Sequence, residues 1–132
     1  MTEPNTHLEI DHSLCGRPVE LGEGTAIVEL TTEARMAADG RGLVHGGFVF
    51  GAADYAAMLA VNDPNVVLGA ADTRFLAPVR AGEAVQLRAT VSGEKGRKRS
   101  VEVSGAVGER EVFTGTFTCF VLDQHVLDNQ PA

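Results

Sequence analysis

The sequence predicts an α+β domain in which an antiparallel sheet of about five strands wraps around one long buried helix. Three observations carry that expectation. Residues 46–61, "GGFVFGAADYAAMLAV", are apolar on every side of a helix apart from one acid, Asp54, and such a helix must be enclosed by other elements. Five further segments read as extended, the clearest of them alternating apolar and polar side chains with the period of two that a half-buried strand needs. The links between the last four, "PVRAGE", "EKGR" and "GERE", are short, which favours antiparallel neighbours in a meander.

Taken in order, the chain up to about Pro18 reads as a peripheral segment, a short helical turn leading into an extended piece. "GTAIVELTT", residues 24–32, sets Ala26, Val28 and Leu30 on one side and is the first strand. "MAADGRGL" follows as a loop, with Asp39-Gly40 and Gly42 as its turn signals. The helix starts near Gly46 and ends before Asn62-Asp63-Pro64, because a proline disfavours helical geometry in the residue before it. Four extended segments come next, 66–77, 83–94, 98–108 and 111–122; in the second, Val85, Leu87, Ala89 and Val91 alternate with Gln86, Arg88 and Thr90. One domain over 1–132 accommodates all of this, with its core at about 24–122 and a peripheral C-terminal tail.

Composition narrows the function. A chain of 132 residues, 44% hydrophobic and 22% charged, can bury a core without disulfide or metal staples. The formal net charge of -7 argues against nucleic acid as a partner, since neutralising phosphates needs an excess of Lys and Arg. Cys15 and Cys119 stand alone with no C-x-x-C, which fits a reducing compartment. "MTEPNTHLEIDH" has neither the basic start nor the apolar core of a signal peptide. The apolar run carries His45 and Asp54 and lacks the flanks of a membrane span, so the cytoplasm, with no membrane partner, is the expected location. His7, His12, His45 and His125 make no metal-ligand spacing, and no G-x-S-x-G elbow or Walker loop is present. Neither a metal nor a bound cofactor is therefore expected.

The H-G-G triplet that opens the helix, the acid nine residues after its histidine in "HGGFVFGAAD", and the later "TRFLAPVRAGE" together resemble the hotdog-fold acyl-CoA thioesterases, in particular their phenylacetate-pathway (PaaI-like) group. The similarity of layout covers roughly residues 24–122. Many relatives carry an Asn six residues before the histidine, whereas "DGRGLVHGG" places Asp39 there. A hydratase branch of the same fold is less favoured, because the D-x-N-P-x-H pattern associated with it is absent.

The resemblance implies a thioester hydrolase in which an acid activates water and the start of the helix stabilises the oxyanion. Free amides at a helix N-terminus are suited to that second task, because the helix dipole favours negative charge there and glycine leaves the approach open. By that resemblance Gly46 is the leading donor with Gly47 beside it, unless the two glycines simply permit tight packing; Asp54 is the base or nucleophile, or a structural acid bonded across an interface; His45 orients the loop or takes part in the chemistry. Asp39 is a contact for water or substrate, or a turn acid. Gly46 and Asp54 lie eight residues apart, about 12 Å of helix rise, so the resemblance implies a homodimer or homotetramer with sites shared between two helices. "GEKGRKRS", residues 93–100, supplies Lys95, Arg97, Lys98 and Arg99, either a solvated turn or a clamp for the phosphates of coenzyme A, which enters as part of the acyl-CoA substrate. Cys119, alternating with Phe117 and Val121, reads as a core thiol. A non-catalytic acyl-CoA-binding module of the same fold is the alternative function.

Overall fold

The computed structural model describes residues 2–129; Met1 and residues 130–132 of the expected domain extent lie outside the described residues. In chain order the elements are α1 (His12–Cys15), β1 (Arg17–Gly22), β2 (Thr25–Thr31), α2 (Gly46–Val61), β3 (Val66–Phe75), β4 (Ala84–Lys95), β5 (Lys98–Val107) and β6 (Arg110–Val121). Short 3-10 turns occur at Ala34–Met36 and Val126–Asn129. The strands form one antiparallel sheet in the order β1-β2-β4-β5-β6-β3, with α2 on its apolar face. This is the hotdog architecture that the sequence led us to expect.

Alternation along the strands decides which side faces the helix. Val28 and Leu30 of β2, Val85 and Leu87 of β4, Val101 and Val103 of β5, and Phe113, Phe117 and Cys119 of β6 are all buried. Their neighbours in sequence, such as Arg88, Glu102 and Thr116, are exposed. Close packing of the strands also dictates one glycine: a Cβ on Gly105 would stand 2.7 Å from Leu87 Cδ1, closer than carbon atoms approach without displacement.

Two differences from the expected layout have physical causes. Among the described residues the sheet has six strands, because the extended piece after α1 pairs with β2 as β1. Pro18 lowers the strand signal of "RPVELG", and a residue with no amide hydrogen is tolerated on an edge, where β1 lies. Only β4, β5 and β6 form a meander; β3 crosses over to pair with β6 at the far edge. Passing three strand spacings needs roughly 14 Å, and the eight residues of Leu76–Glu83 reach up to about 26 Å when extended. A short link is therefore compatible with the crossover.

That crossover also places the start of α2. Val79 accepts a hydrogen bond from the Val44 amide at 2.9 Å, the Ala81 amide donates to the Gly42 carbonyl at 2.8 Å, and the Leu76 amide donates to Val112 at 2.9 Å. Gly42 has φ +80°, a conformation that glycine adopts freely. At the other end the helix stops at Asn62, which is left-handed at φ 54° and donates its amide to the Met58 carbonyl at 2.7 Å.

The enclosure of α2 is incomplete. Val49, Ala52, Ala53, Ala56, Ala57, Leu59 and Ala60 are buried, but Gly47, Phe50, Gly51 and Asp54 retain accessible surface. Their spacing of three and four residues makes them one stripe along the helix, and a Cβ on Gly51 would meet nothing within 4 Å. No helix among the described residues is long and apolar enough to cross a membrane.

Candidate active site

Helix α2 carries the two groups of interest at different heights. At its start, His45 is the N-cap and makes no side-chain capping bond. Its ring stands edge-on to Phe48 at 6.2 Å and is exposed. The Phe48 amide donates to the His45 carbonyl at 3.1 Å, while the amides of Gly46 and Gly47 belong to the first turn, where a helix provides no internal acceptor. A Cβ on Gly46 would lie 3.2 Å from the Phe75 ring, so the glycine is also what lets this aromatic cover the helix start. Beside it opens a cavity of about 350 Å³ walled by Leu43, Val49, Phe75, Leu76 and Val79.

Asp54 lies two turns further along and lines a second cavity, of about 390 Å³, with His7, Met58, Val66, Leu68 and His125. Its Oδ1 is buried and has no hydrogen-bond partner among the described residues. Loss of water around the carboxyl disfavours the charged form and pushes its pKa up to about 6. The two neighbouring thiols move the same way. Burial first, and then the negative charge of Asp54, pushes Cys119 up to about 11; burial, with Asp11 and Asp54, raises Cys15. Both remain thiols at neutral pH, and Cys119 is fully buried in the core, as its alternation implied.

Gly46 and Asp54 thus open into separate cavities of one chain. The other expected site residues are spread more widely. Asp39 is exposed and forms a turn, its Oδ1 accepting from the amides of Arg41 at 2.9 Å and Leu43 at 3.2 Å; it also borders a surface hollow with Arg41 and Arg80. Lys95, Arg97 and Lys98 lie on the β4–β5 hairpin, where Lys98 is level with Phe120 of β6. Phe75, which covers Gly46, is level with Phe113. Seven residues of strand separate the two levels, about 24 Å, so the hairpin and the helix start occupy opposite ends of one chain. Arg97 is paired with Asp123, and Arg99 contacts Glu94 at 3.4 Å and donates to the Gly96 carbonyl at 2.8 Å.

Sequence reasoning missed the part of the Asp54 cavity built from the chain's two ends. The N-terminal segment, expected to be peripheral, lies against α2: the Asn5 amide donates to Asn62 Oδ1 at 2.7 Å, and Asn62 Nδ2 donates to the Glu3 carbonyl at 2.9 Å. Thr6 is buried and His7 reaches the cavity. No local pattern marks "TEPNTH" for this place, because a contact with a residue 57 positions away in sequence creates it.

Comparison with known proteins agrees with this architecture. Over 119 residues the chain is 53% identical to a methylthioribose-1-phosphate isomerase of Aquifex aeolicus, a match covering 89% of this chain and 26% of that protein. It is 30% identical over 110 residues to the transcription factor FapR of Caldanaerobacter subterraneus, covering 83% and 54% of the two chains. The chain therefore spans about a quarter to a half of these curated relatives. Among solved structures, an uncharacterized protein from Pyrococcus horikoshii superposes with a TM-score of 0.95 at 49% identity, covering 96% of this chain and 98% of that one. A variant of the phenylacetic acid degradation protein PaaI from Thermus thermophilus superposes with a TM-score of 0.76 at 28% identity, covering 84% and 96%. The family model described as the thioesterase superfamily matches residues 41–112, a stretch holding the H-G-G turn, all of α2, the crossover and most of the sheet, and the chain belongs to that superfamily.

Proposed function

We propose that this chain is an acyl-CoA thioesterase that hydrolyses a thioester to a free acid and coenzyme A. The observation that carries the reading is Asp54, a carboxyl with a buried, partnerless oxygen at a cavity wall and a pKa raised to about 6. A base with a pKa close to the working pH is ionised enough to accept a proton and basic enough to hold it. In the proposed reaction Asp54 takes a proton from water as the oxygen attacks the thioester carbonyl. The carbonyl oxygen gains the charge and is met by the Gly46 amide, with Gly47 beside it. When the tetrahedral intermediate collapses, the C–S bond breaks and the proton on Asp54 passes to the departing thiolate or to solvent. His45 serves to hold the turn that presents the glycine amides.

The separation of Gly46 from Asp54 favours a two-fold assembly. Two copies laid antiparallel along the stripe Gly47, Phe50, Gly51 and Asp54 would bring the helix start of one to the acid of the other, twice per dimer. In the same reading Asp39 contacts substrate or water near the helix start, and Lys95, Arg97 and Lys98 bind coenzyme A phosphates. The cytoplasm is the compartment where acyl-CoA would be met.

A second reading, an acyl-CoA-binding module without turnover, is favoured by Asp39 at the place where many relatives carry Asn, and by the likeness to a transcription factor. Measuring thiol release and equilibrium binding over short, long and aromatic acyl-CoAs decides between them. Binding without release in every case would establish the module and refute the hydrolase.

A further inference from the structure

We propose that His7 holds the attacking water against Asp54, so that the N-terminal segment completes a site that the H-G-G motif and the helix alone leave unfinished. The proposal rests on the thioesterase reading above. Three observations carry it. First, His7 and Asp54 line the same cavity, and Asp54 Oδ1 is a buried acceptor that no described residue satisfies, which a native protein seldom tolerates without a function or a bound water.

Second, the backbone at His7 is left-handed, at φ 56°. Outside glycine that conformation is uncommon, and such strain persists where surrounding structure enforces it, often at functional sites. The enforcement is visible on both sides of the residue. Asn5 and Glu3 are tied to Asn62 at the end of α2 by bonds of 2.7 and 2.9 Å, and the Ile10 amide closes back on the His7 carbonyl at 3.3 Å. The tether therefore runs from the helix that carries Asp54 to a residue that lines the same cavity.

Third, one nitrogen of the ring is already engaged. Its Nδ1 lies 2.8 Å from the hydroxyl of Thr6, itself buried, and the ring packs toward Tyr55 at 6.2 Å. With Nδ1 engaged by Thr6, Nε2 is the nitrogen left to bind a water. His7 keeps exposed surface, yet partial loss of water around the ring lowers its pKa, which favours the neutral imidazole. A water that gives one hydrogen to Asp54 and directs one lone pair at the carbonyl retains one hydrogen and one lone pair. Nε2 can therefore hold it in either tautomer, accepting in one and donating in the other.

Glycine and asparagine both tolerate the left-handed backbone, so His7→Gly and His7→Asn remove the imidazole without imposing new strain. Full-length variants would be assayed for thiol release from whichever of butyryl-, decanoyl- or benzoyl-CoA the wild type hydrolyses fastest, with Asp54→Asn alongside. His7→Gly is expected to lose roughly 10²-fold in kcat, the size of effect that misplacing a reacting group produces, with little change in KM and no loss of Tm. Added imidazole should recover part of the activity, and His7→Asn should lie between the two. Wild-type kcat in either His7 variant, with Asp54→Asn inactive, overturns the role of His7 and leaves the hydrolase reading standing. A loss that comes with a lower Tm and no recovery by imidazole assigns His7 to the fold and also overturns it. Wild-type turnover by Asp54→Asn, or no hydrolysis of any of the three thioesters, removes both.

Discussion

Replacing Asp54 with Asn should make the protein more stable and less active at the same time, and both effects follow from burial. The carboxyl pKa rises from 3.8 to about 6 because its surroundings disfavour charge. At about 1.36 kcal/mol per pH unit, ionising it within the fold costs roughly 3 kcal/mol. The sign is set by proton binding. Between 3.8 and about 6 the native chain holds a proton that the unfolded chain has released, so stability declines as pH rises through that window and levels off above it. Asparagine is nearly isosteric and uncharged, so Asp54→Asn should gain most of that 3 kcal/mol at pH 8 and little at pH 4. With an unfolding entropy of about 2.1 cal/mol/K per residue, this corresponds to roughly 10 °C in Tm at the higher pH. Turnover should fall at least about 10²-fold, as expected on loss of a general base. Thermal melts at the two pH values and thiol release on the same samples test both effects. An Asp54→Asn protein no more stable than wild type at pH 8 would refute the burial argument, since it would mean the assembled protein satisfies the carboxylate. A folded variant with wild-type kcat would make the acid structural.

For the wild-type protein, the proposed hydrolysis predicts that kcat/KM falls as pH drops through about 6, because protonated Asp54 cannot accept a proton from water; a flat profile between pH 5 and 8 would contradict its role as base. Gly51→Glu should leave the chain folded, since a Cβ there meets nothing within 4 Å, yet shift light scattering from oligomer toward monomer by placing like charges along the seam. A wild type that is already monomeric at micromolar concentration would end the shared-site argument. Gly46→Ala keeps the backbone amide but presses a methyl against the exposed Phe75 ring, 3.2 Å away; by blocking close approach to that amide it should lower kcat by up to the roughly 10²-fold that loss of an oxyanion donor costs, with a small effect on stability. Arg97→Ala combined with Lys98→Ala should raise KM for acyl-CoA and flatten its dependence on salt while sparing pantetheine thioesters. Equal losses for both substrates would dismiss the phosphate clamp.

Local chemistry determined much of this protein directly from its sequence. The bounds of α2 were legible because Gly46-Gly47 and Asn62-Asp63-Pro64 punctuate an apolar run, and the inward faces of β2, β4 and β5 were legible because those strands alternate with period two. Asp54 stood out because a carboxylate in such a run demands an explanation, and Cys119 was recognisable as core from its phase with Phe117. Pairing and distance were decided elsewhere. Whether β3 neighbours β4 or β6 depends on how far an eight-residue link can reach across a curved sheet, and its length alone permits either. Likewise, nothing local in "TEPNTH" specifies that Thr6 will be buried or that His7 will reach the Asp54 cavity, because that placement depends on Asn62, more than fifty residues away. The sequence by itself named the acid and the helix start. Only the tertiary structure showed that they open into different cavities of one chain, because long-range packing decides which segments wall each end of α2, Phe75 and Leu76 beside Gly46 and Thr6, His7 and Val66 beside Asp54.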